Sequence, residues 1–112
     1  NLGLPVFTPH WGGCEVAYGP RCMKTLALLQ SAERKSAVRV IRELAERGYD
    51  KTLRSQRHKK YDGILDIPAG MMIARINKEL RYFWRFEKKE NSRRHLLVYD
   101  IVRHSDAYAS ER

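Results

Sequence analysis

The stretch LRYFWRFE, residues 80–87, decides the fold class of this chain. A large apolar side chain stands at every second position, and a period of two residues is typical of a β-strand. A second run, HLLVYDIV (95–102), has apolar residues on both faces, as a central strand does. The segment between them, KKENSRR (88–94), is highly charged and favours a hairpin loop. The two runs are therefore predicted to be antiparallel neighbours in one sheet.

Two further strands are predicted on the same grounds. The segment MMIARI (71–76) precedes INKEL (76–80), in which Asn77 favours a turn, so 71–76 is expected to pair with 80–87. Near the start, CEVAY (14–18) alternates in the same way. Four strands are therefore expected, three of them consecutive in the second half of the chain.

The segment between the first strand and the last three has a helical period. Pro20 suits the first turn of a helix, and apolar residues recur at helical spacing over 20–31 and again over 33–47. Gly48 is a suitable stop for the second helix. The polar, basic segment 51–63 predicts a loop. The order β-α-α-β-β-β predicts an α+β fold, in which two N-terminal helices pack on one face of a mostly antiparallel sheet and leave the other face open to a ligand.

The charge of the chain is strongly positive. Its 112 residues include 22 Lys and Arg against 13 Asp and Glu, a net charge of +9. A basic domain of this size favours a polyanionic or acidic partner, which can be a nucleic acid or an acidic protein.

Cysteine content and hydropathy exclude several classes of protein. Cys14 and Cys22 are too few for a disulfide framework or a cysteine-rich zinc site, so both are expected to be reduced and packed. No apolar stretch approaches the roughly 18 residues that span a bilayer, and the start lacks a signal-peptide pattern. We therefore expect a cytoplasmic protein with no membrane partner. Residues 1–13, rich in Pro and Gly, predict an N-terminal arm before a single domain over 14–112.

Two segments resemble the RelE/ParE toxin superfamily of bacterial toxin–antitoxin systems. In IARINKELRYFWRFE (73–87), an Arg-containing strand and a short turn precede a hydrophobic-Arg-hydrophobic strand. In LLVYDIVRHSDAY (96–108), basic and His residues come a few positions before a Tyr. The resemblance extends over residues 14–108, and it implies a RelE-like fold.

The resemblance also implies an activity and partners. RelE-like and HigB-like members cut mRNA in the ribosomal A site, ParE-like members inhibit DNA gyrase, and an antitoxin with an acidic or amphipathic segment silences them. We expect a metal-independent mRNA endoribonuclease without a cofactor, with mRNA, the ribosome and an antitoxin as partners. A gyrase inhibitor and a non-catalytic RNA- or protein-binding domain are the alternatives. The clustered arginines and a C-terminal His favour the nuclease, because a purely protein-binding inhibitor needs no proton carrier.

Candidate catalytic residues follow from the resemblance and from the chemistry. Metal-free RNA cleavage must deprotonate a 2′-OH, stabilise a phosphorane and protonate the 5′-oxygen. Arginine matches phosphate oxygens with its planar fork, and histidine carries protons near neutral pH. Some members use a Glu as the base, and no position here matches it; Asp62 and Asp66 are nearby but unaligned, so the base stays open. The candidates, expected around one phosphate, are Arg75, Arg81, Arg103, His104 and Tyr108.

Other basic residues are candidates for RNA binding. A run at 57–60 includes His58 and would add affinity through counterion release if it lay beside a phosphate site. Trp84 and Phe86 are expected in the core. Arg85 also fits a solvated strand face. The RNA-binding candidates are Arg57, Lys59, Lys60 and Arg85.

Overall fold

The computed structural model of the chain describes residues 14–88 and 94–108, and the predicted N-terminal arm, residues 1–13, lies outside them. The described residues form a five-stranded sheet of order β1-β5-β4-β3-β2. β1 runs parallel to β5, and all other neighbours are antiparallel. The strands are β1 (Glu15–Tyr18), β2 (Lys59–Lys60), β3 (Met72–Arg75), β4 (Leu80–Lys88) and β5 (Arg94–Arg103).

The predicted pairings of the second half are confirmed. Both β4 with β5 and β3 with β4 are antiparallel neighbours. The turn between β3 and β4 is built by Asn77, whose Oδ1 accepts hydrogen bonds from the backbone N–H groups of Glu79 and Leu80, both at 2.9 Å. The middle of the predicted loop between β4 and β5 lies outside the described residues.

The described residues contain four helices where two were predicted. The two expected helices, α1 (Pro20–Leu28) and α2 (Ser31–Arg47), are followed by α3 (Tyr49–Gln56) and by the short α4 (His104–Ala107). The prediction of a loop over 51–63 was wrong for 51–56, which are helical, and for 59–60, which form β2 as a fifth strand. The buried positions of α3 are the polar residues Thr52 and Gln56, so the sequence shows no apolar period there. Both side chains are hydrogen-bonded, which makes their burial tolerable.

The main core lies between α1, α2 and one face of the sheet. Leu26, Ile41 and Leu44 contribute fully buried helix side chains, and Tyr82 and Trp84 of β4 are buried against them. The predicted packing of both helices on one sheet face is thus confirmed.

A β-bulge separates the β4–β5 pairs Phe83–Asp100 and Trp84–Val98. One extra residue in β5 lets Val98 and Ile101, three positions apart, both reach the helix-side core.

The opposite sheet face is only partly open. Phe83 is fully buried there, together with Ile73 and Met71. The expectation of a free face was therefore wrong over the middle of the sheet, where Leu65 and Ile67 from the segment before β3 pack on it. That segment offers too few apolar residues in a regular period to predict this cover. No helix in the described part of the chain is long and apolar enough to cross a membrane.

Candidate functional site

A cavity of about 240 Å³ lies at the end of the sheet where β3 and β4 meet, on the face away from α1 and α2. Four cationic side chains line it, and none of the lining residues carries a carboxylate. A concentration of positive charge without a compensating acid is the electrostatic signature of an anion site. We call it the cationic pocket, and its lining residues are Arg57, Lys59, Ile73, Ala74, Arg75, Arg81, His104 and Tyr108.

The sheet register sets two of these cations side by side. Arg75 of β3 is paired directly with Arg81 of β4. Like charges directly opposite each other are unfavourable. Accordingly, the pKa of Arg81 is lowered, first by partial burial and then by the charges of Arg75 and Arg57. A bound anion would relieve this repulsion.

Arg81 is held in place by the turn that precedes it. Its Nη1 lies 2.6 Å from the carbonyl oxygen of Asn77, 3.0 Å from that of Leu80 and 3.3 Å from that of Lys78, and it donates its two protons to these three acceptors, so that at least one proton is shared. The side chain of Asn77 in turn fixes the turn, as described above. The guanidinium group is thus oriented before any ligand arrives, which lowers the entropic cost of binding.

α4 brings His104 and Tyr108 to the pocket. The backbone N–H of His104 donates to the carbonyl oxygen of Glu79 at 2.7 Å, which joins α4 to the β3–β4 turn. The ring centroids of His104 and Tyr108 are 5.3 Å apart, and Lys59 Nζ lies 5.2 Å from the centroid of the Tyr108 ring. An imidazole, a phenol and an ammonium group therefore meet at one wall of the pocket.

The far end of α4 is fixed by Tyr61. Its hydroxyl donates to the carbonyl oxygen of Ala107 at 2.8 Å and accepts from the backbone N–H of Leu65 at 2.9 Å. The Tyr108 hydroxyl is buried and has no hydrogen-bond partner among the described residues. An unpaired buried hydroxyl costs roughly 1–3 kcal/mol.

Three predicted site residues lie outside the pocket lining. Arg103 Nη1 bonds Glu33 of α2 at 2.9 Å and Glu79 at 3.4 Å, so Arg103 ties the end of β5 to α2 and does not meet Arg81. Arg85 is paired with Glu87 at 2.6 Å. Lys60 is exposed on β2. Sequence spacing alone does not reveal the pairing of Arg103 with Glu33, because the two residues are 70 positions apart.

The six other candidates, Arg57, Lys59, Arg75, Arg81, His104 and Tyr108, are brought together in the pocket. Neither Asp62 nor Asp66 is among the lining residues, so the side chains there whose chemistry suits proton exchange are those of His104 and Tyr108. The expectation that Trp84 is a core residue is confirmed.

One residue of the basic run is placed differently from its neighbours. His58 is only 6% exposed, whereas Arg57 and Lys59 on either side are exposed. Grouping it with the solvated basic run was wrong. The one available signal for the burial of His58 was its position between two charged residues, Arg57 and Lys59, which fits the alternation of buried and exposed positions in a strand.

The chain was compared with known proteins by sequence and by structure. No family model matches it, and no curated protein matches it. A chain from the archaeal RelE–RelB complex of Pyrococcus horikoshii OT3 superposes with a TM-score of 0.55 at 15% identity, covering 82% of this chain and 96% of that chain. The chain has a RelE-like fold. This confirms the fold that the sequence resemblance implied.

Proposed function

We propose that this chain is the toxin of a type II toxin–antitoxin pair and acts as a metal-independent, ribosome-associated mRNA endoribonuclease in the cytoplasm. The observation that carries the proposal is the composition of one pocket. Arg57, Lys59, Arg75 and Arg81 surround it without a carboxylate, and His104 and Tyr108 complete its wall. These are the groups that metal-free cleavage of a phosphodiester requires.

In the proposed reaction, the arginines act on the phosphate. The attack of a 2′-OH on the adjacent phosphorus adds negative charge to the non-bridging oxygens. Arg81, which is held by the turn carbonyls, and Arg75, its partner in the neighbouring strand, are the proposed stabilisers of that charge. Lys59 and Arg57 bind the flanking backbone phosphates by charge.

His104 and Tyr108 are the proposed proton donors and acceptors. The 2′-OH loses a proton as the P–O2′ bond forms, and the leaving 5′-oxygen gains one as the P–O5′ bond breaks. A 2′,3′-cyclic phosphate and a 5′-OH result, with no net proton change. His104 is the acid or base best suited to neutral pH. Tyr108 either exchanges the other proton or stacks on a base, and replacing it with phenylalanine distinguishes these two roles.

An antitoxin is the proposed protein partner. The structurally similar chain from Pyrococcus horikoshii OT3 comes from a complex with RelB. The net charge of +9 on this chain suits a partner segment that is acidic.

The proposal is tested by induced expression followed by mapping of mRNA 5′ ends. New ends inside coding regions, which disappear in Arg81→Ala but persist in Arg85→Ala, are the expected result. Arg85 is the matched control, because it lies on the same strand but outside the pocket and is paired with Glu87. Growth arrest with intact mRNA and loss of supercoiling by gyrase would instead support the gyrase-inhibitor alternative. Absence of growth arrest would support a non-catalytic binding domain.

A further inference from the structure

The segment that supplies two of the pocket cations is short and weakly held by its own strand. Arg57 ends α3, and Lys59 belongs to β2, which contains only two residues. β2 pairs with β3 through Lys59–Ile73 and Lys60–Met72. So short a strand supplies few hydrogen bonds, and some other contact must fix the directions of Arg57 and Lys59.

His58, between these two cations, is inserted in the core on the other side of the segment. The indole Nε1 of Trp84 donates a hydrogen bond to its Nδ1 at 3.0 Å, and its Nε2 lies 2.9 Å from Thr52 Oγ1. The rings of Tyr49 and Trp84 pack on the imidazole at centroid distances of 5.2 and 5.0 Å. The side chain of His58 thus connects the segment to both α3 and β4.

These contacts fix the protonation state of His58. An indole N–H is only a donor, so Nδ1 must be unprotonated, and the neutral ring then carries its proton on Nε2. That proton is donated to Thr52 Oγ1, whose own proton goes to the carbonyl oxygen of Gly48 at 2.9 Å. Burial lowers the pKa of His58 to about 4, which keeps the ring neutral at pH 7.

The backbone beside His58 is also unusual. Arg57 adopts the left-handed conformation with φ of 53° and is the only described residue other than glycine with a positive φ. A side chain at such a position is unfavourable relative to glycine. The turn at Arg57 ends α3 and is followed at once by the buried His58, with the charged group of Arg57 left at the pocket.

We infer that His58 is a positioning residue that fixes Arg57 and Lys59 in the cationic pocket through its bonds to Trp84 and Thr52. The inference rests on the proposed RNA site and adds a residue that does not touch the ligand. It predicts that the loss of His58 contacts removes two phosphate contacts without removing either cation from the chain.

The test is the salt dependence of binding to a short fluorescein-labelled oligouridylate, measured by anisotropy. Each contact with a single-strand phosphate contributes about 0.7 to the slope of log K against log salt concentration. We therefore expect His58→Leu to flatten the slope by about 1.4. His58→Asn, which keeps an acceptor for Trp84 near the position of Nδ1, should recover most of the parental slope.

A purely destabilising change lowers the fraction of folded protein but leaves the slope unchanged. Ile41→Ala is the control, because Ile41 is fully buried in α2 among helix-side core residues and does not line the pocket. Melting curves establish that each variant is folded at the assay temperature. If His58→Leu does not fold, Trp84→Phe removes the same hydrogen bond and keeps an aromatic ring, and it should also flatten the slope.

A second experiment asks whether His58 acts through its two neighbours. In the Arg57→Ala/Lys59→Ala double variant, adding His58→Leu should flatten the slope no further. A folded His58→Leu protein with the parental slope would overturn the inference, and so would further flattening in the double variant. If the parental protein binds RNA but never cuts it, the proposed nuclease function fails while the slopes still decide the role of His58. If it binds no RNA, both fail.

Discussion

His104 and Tyr108 lie one turn apart at α4, with their ring centroids 5.3 Å apart and their planes tilted by 51°. A bond from the His104 N–H to the Glu79 carbonyl and a bond from the Tyr61 hydroxyl to the Ala107 carbonyl hold the two ends of this turn. The pair is therefore fixed relative to Arg81, and the proposal that these two side chains transfer protons can be tested at each of them.

His104→Gln should reduce the rate of mRNA cleavage by roughly 10²–10⁴, because an amide forms hydrogen bonds but does not exchange a proton. RNA affinity should change little, since the other pocket cations remain. The measurement is single-turnover cleavage of a reporter mRNA, with binding measured in parallel. Parental cleavage by a folded His104→Gln protein would exclude His104 as the proton carrier.

Tyr108→Phe separates stacking from proton transfer. If the hydroxyl exchanges a proton, the cleavage rate should fall as far as in His104→Gln. If Tyr108 only stacks on a base, the rate should stay near the parental value, and Tyr108→Ala should be needed to lower affinity. Because the hydroxyl is buried without a partner among the described residues, Tyr108→Phe should not lower the melting temperature.

Arg57→Gly should lower RNA affinity without lowering the free energy of unfolding. Glycine adopts a positive φ without penalty, although it also raises the entropy of the unfolded chain. The free energy of unfolding should therefore stay the same or rise by up to about 1 kcal/mol, while RNA affinity falls. Arg57→Ala is the control, because it loses the same charge and keeps the unfavourable φ. A glycine variant less stable than the alanine variant would contradict this account of residue 57.

The stability of the protein should fall in mild acid because of His58. In the unfolded chain, the imidazole of His58 binds a proton below its ordinary pKa of 6.5. In the folded chain, burial lowers the pKa of His58 to about 4, so the proton binds only at lower pH. The free energy of unfolding should thus decrease by on the order of 2 kcal/mol between about pH 7 and about pH 5. Urea titrations of the parental protein and His58→Asn at about pH 7 and about pH 5 measure it. An equal decrease in both proteins would assign the effect to other groups.

Arg103 and Arg75 should behave differently when replaced by alanine. Arg103 is exposed and paired with Glu33, and this hydrogen bond lowers the pKa of Glu33. Arg103→Ala should therefore lower the melting temperature slightly and leave RNA binding near the parental value. Arg75→Ala should weaken binding and flatten its salt dependence, because Arg75 lines the pocket. Equal losses of affinity in both variants would mean that the surface as a whole, and not the pocket, binds RNA.

The sequence predicted four of the five strands and the helices α1 and α2, because periodic burial of apolar side chains determines them, whereas both residues of β2 are exposed lysines. It did not predict α3, since the buried positions of that helix are Thr52 and Gln56, which are polar and depend on tertiary hydrogen bonds. For the same reason the burial of His58 was missed. Nor does spacing along the chain reveal the pairing of Arg103 with Glu33.

The position of Arg81 was the most predictable part of the site. Strand alternation places it on the face opposite the helices, and the turn at Asn77 sets its register with Arg75. Arg57 and Lys59 could be proposed as RNA-binding residues from the basic run. Their convergence on the same pocket, however, depends on the burial of His58. Long-range convergence of this kind is not encoded in local periodicity.

The most direct test of the account is cleavage of a reporter mRNA by Arg81→Ala and Arg85→Ala proteins, with and without ribosomes. Arg81 lines the pocket and is proposed to stabilise the transition-state charge, whereas Arg85 is paired with Glu87 outside the pocket. We predict a roughly 10²–10³-fold loss of rate for Arg81→Ala and near-parental cleavage for Arg85→Ala, with both proteins folded. Parental cleavage by a folded Arg81→Ala protein would contradict the assignment of the cationic pocket as the active site.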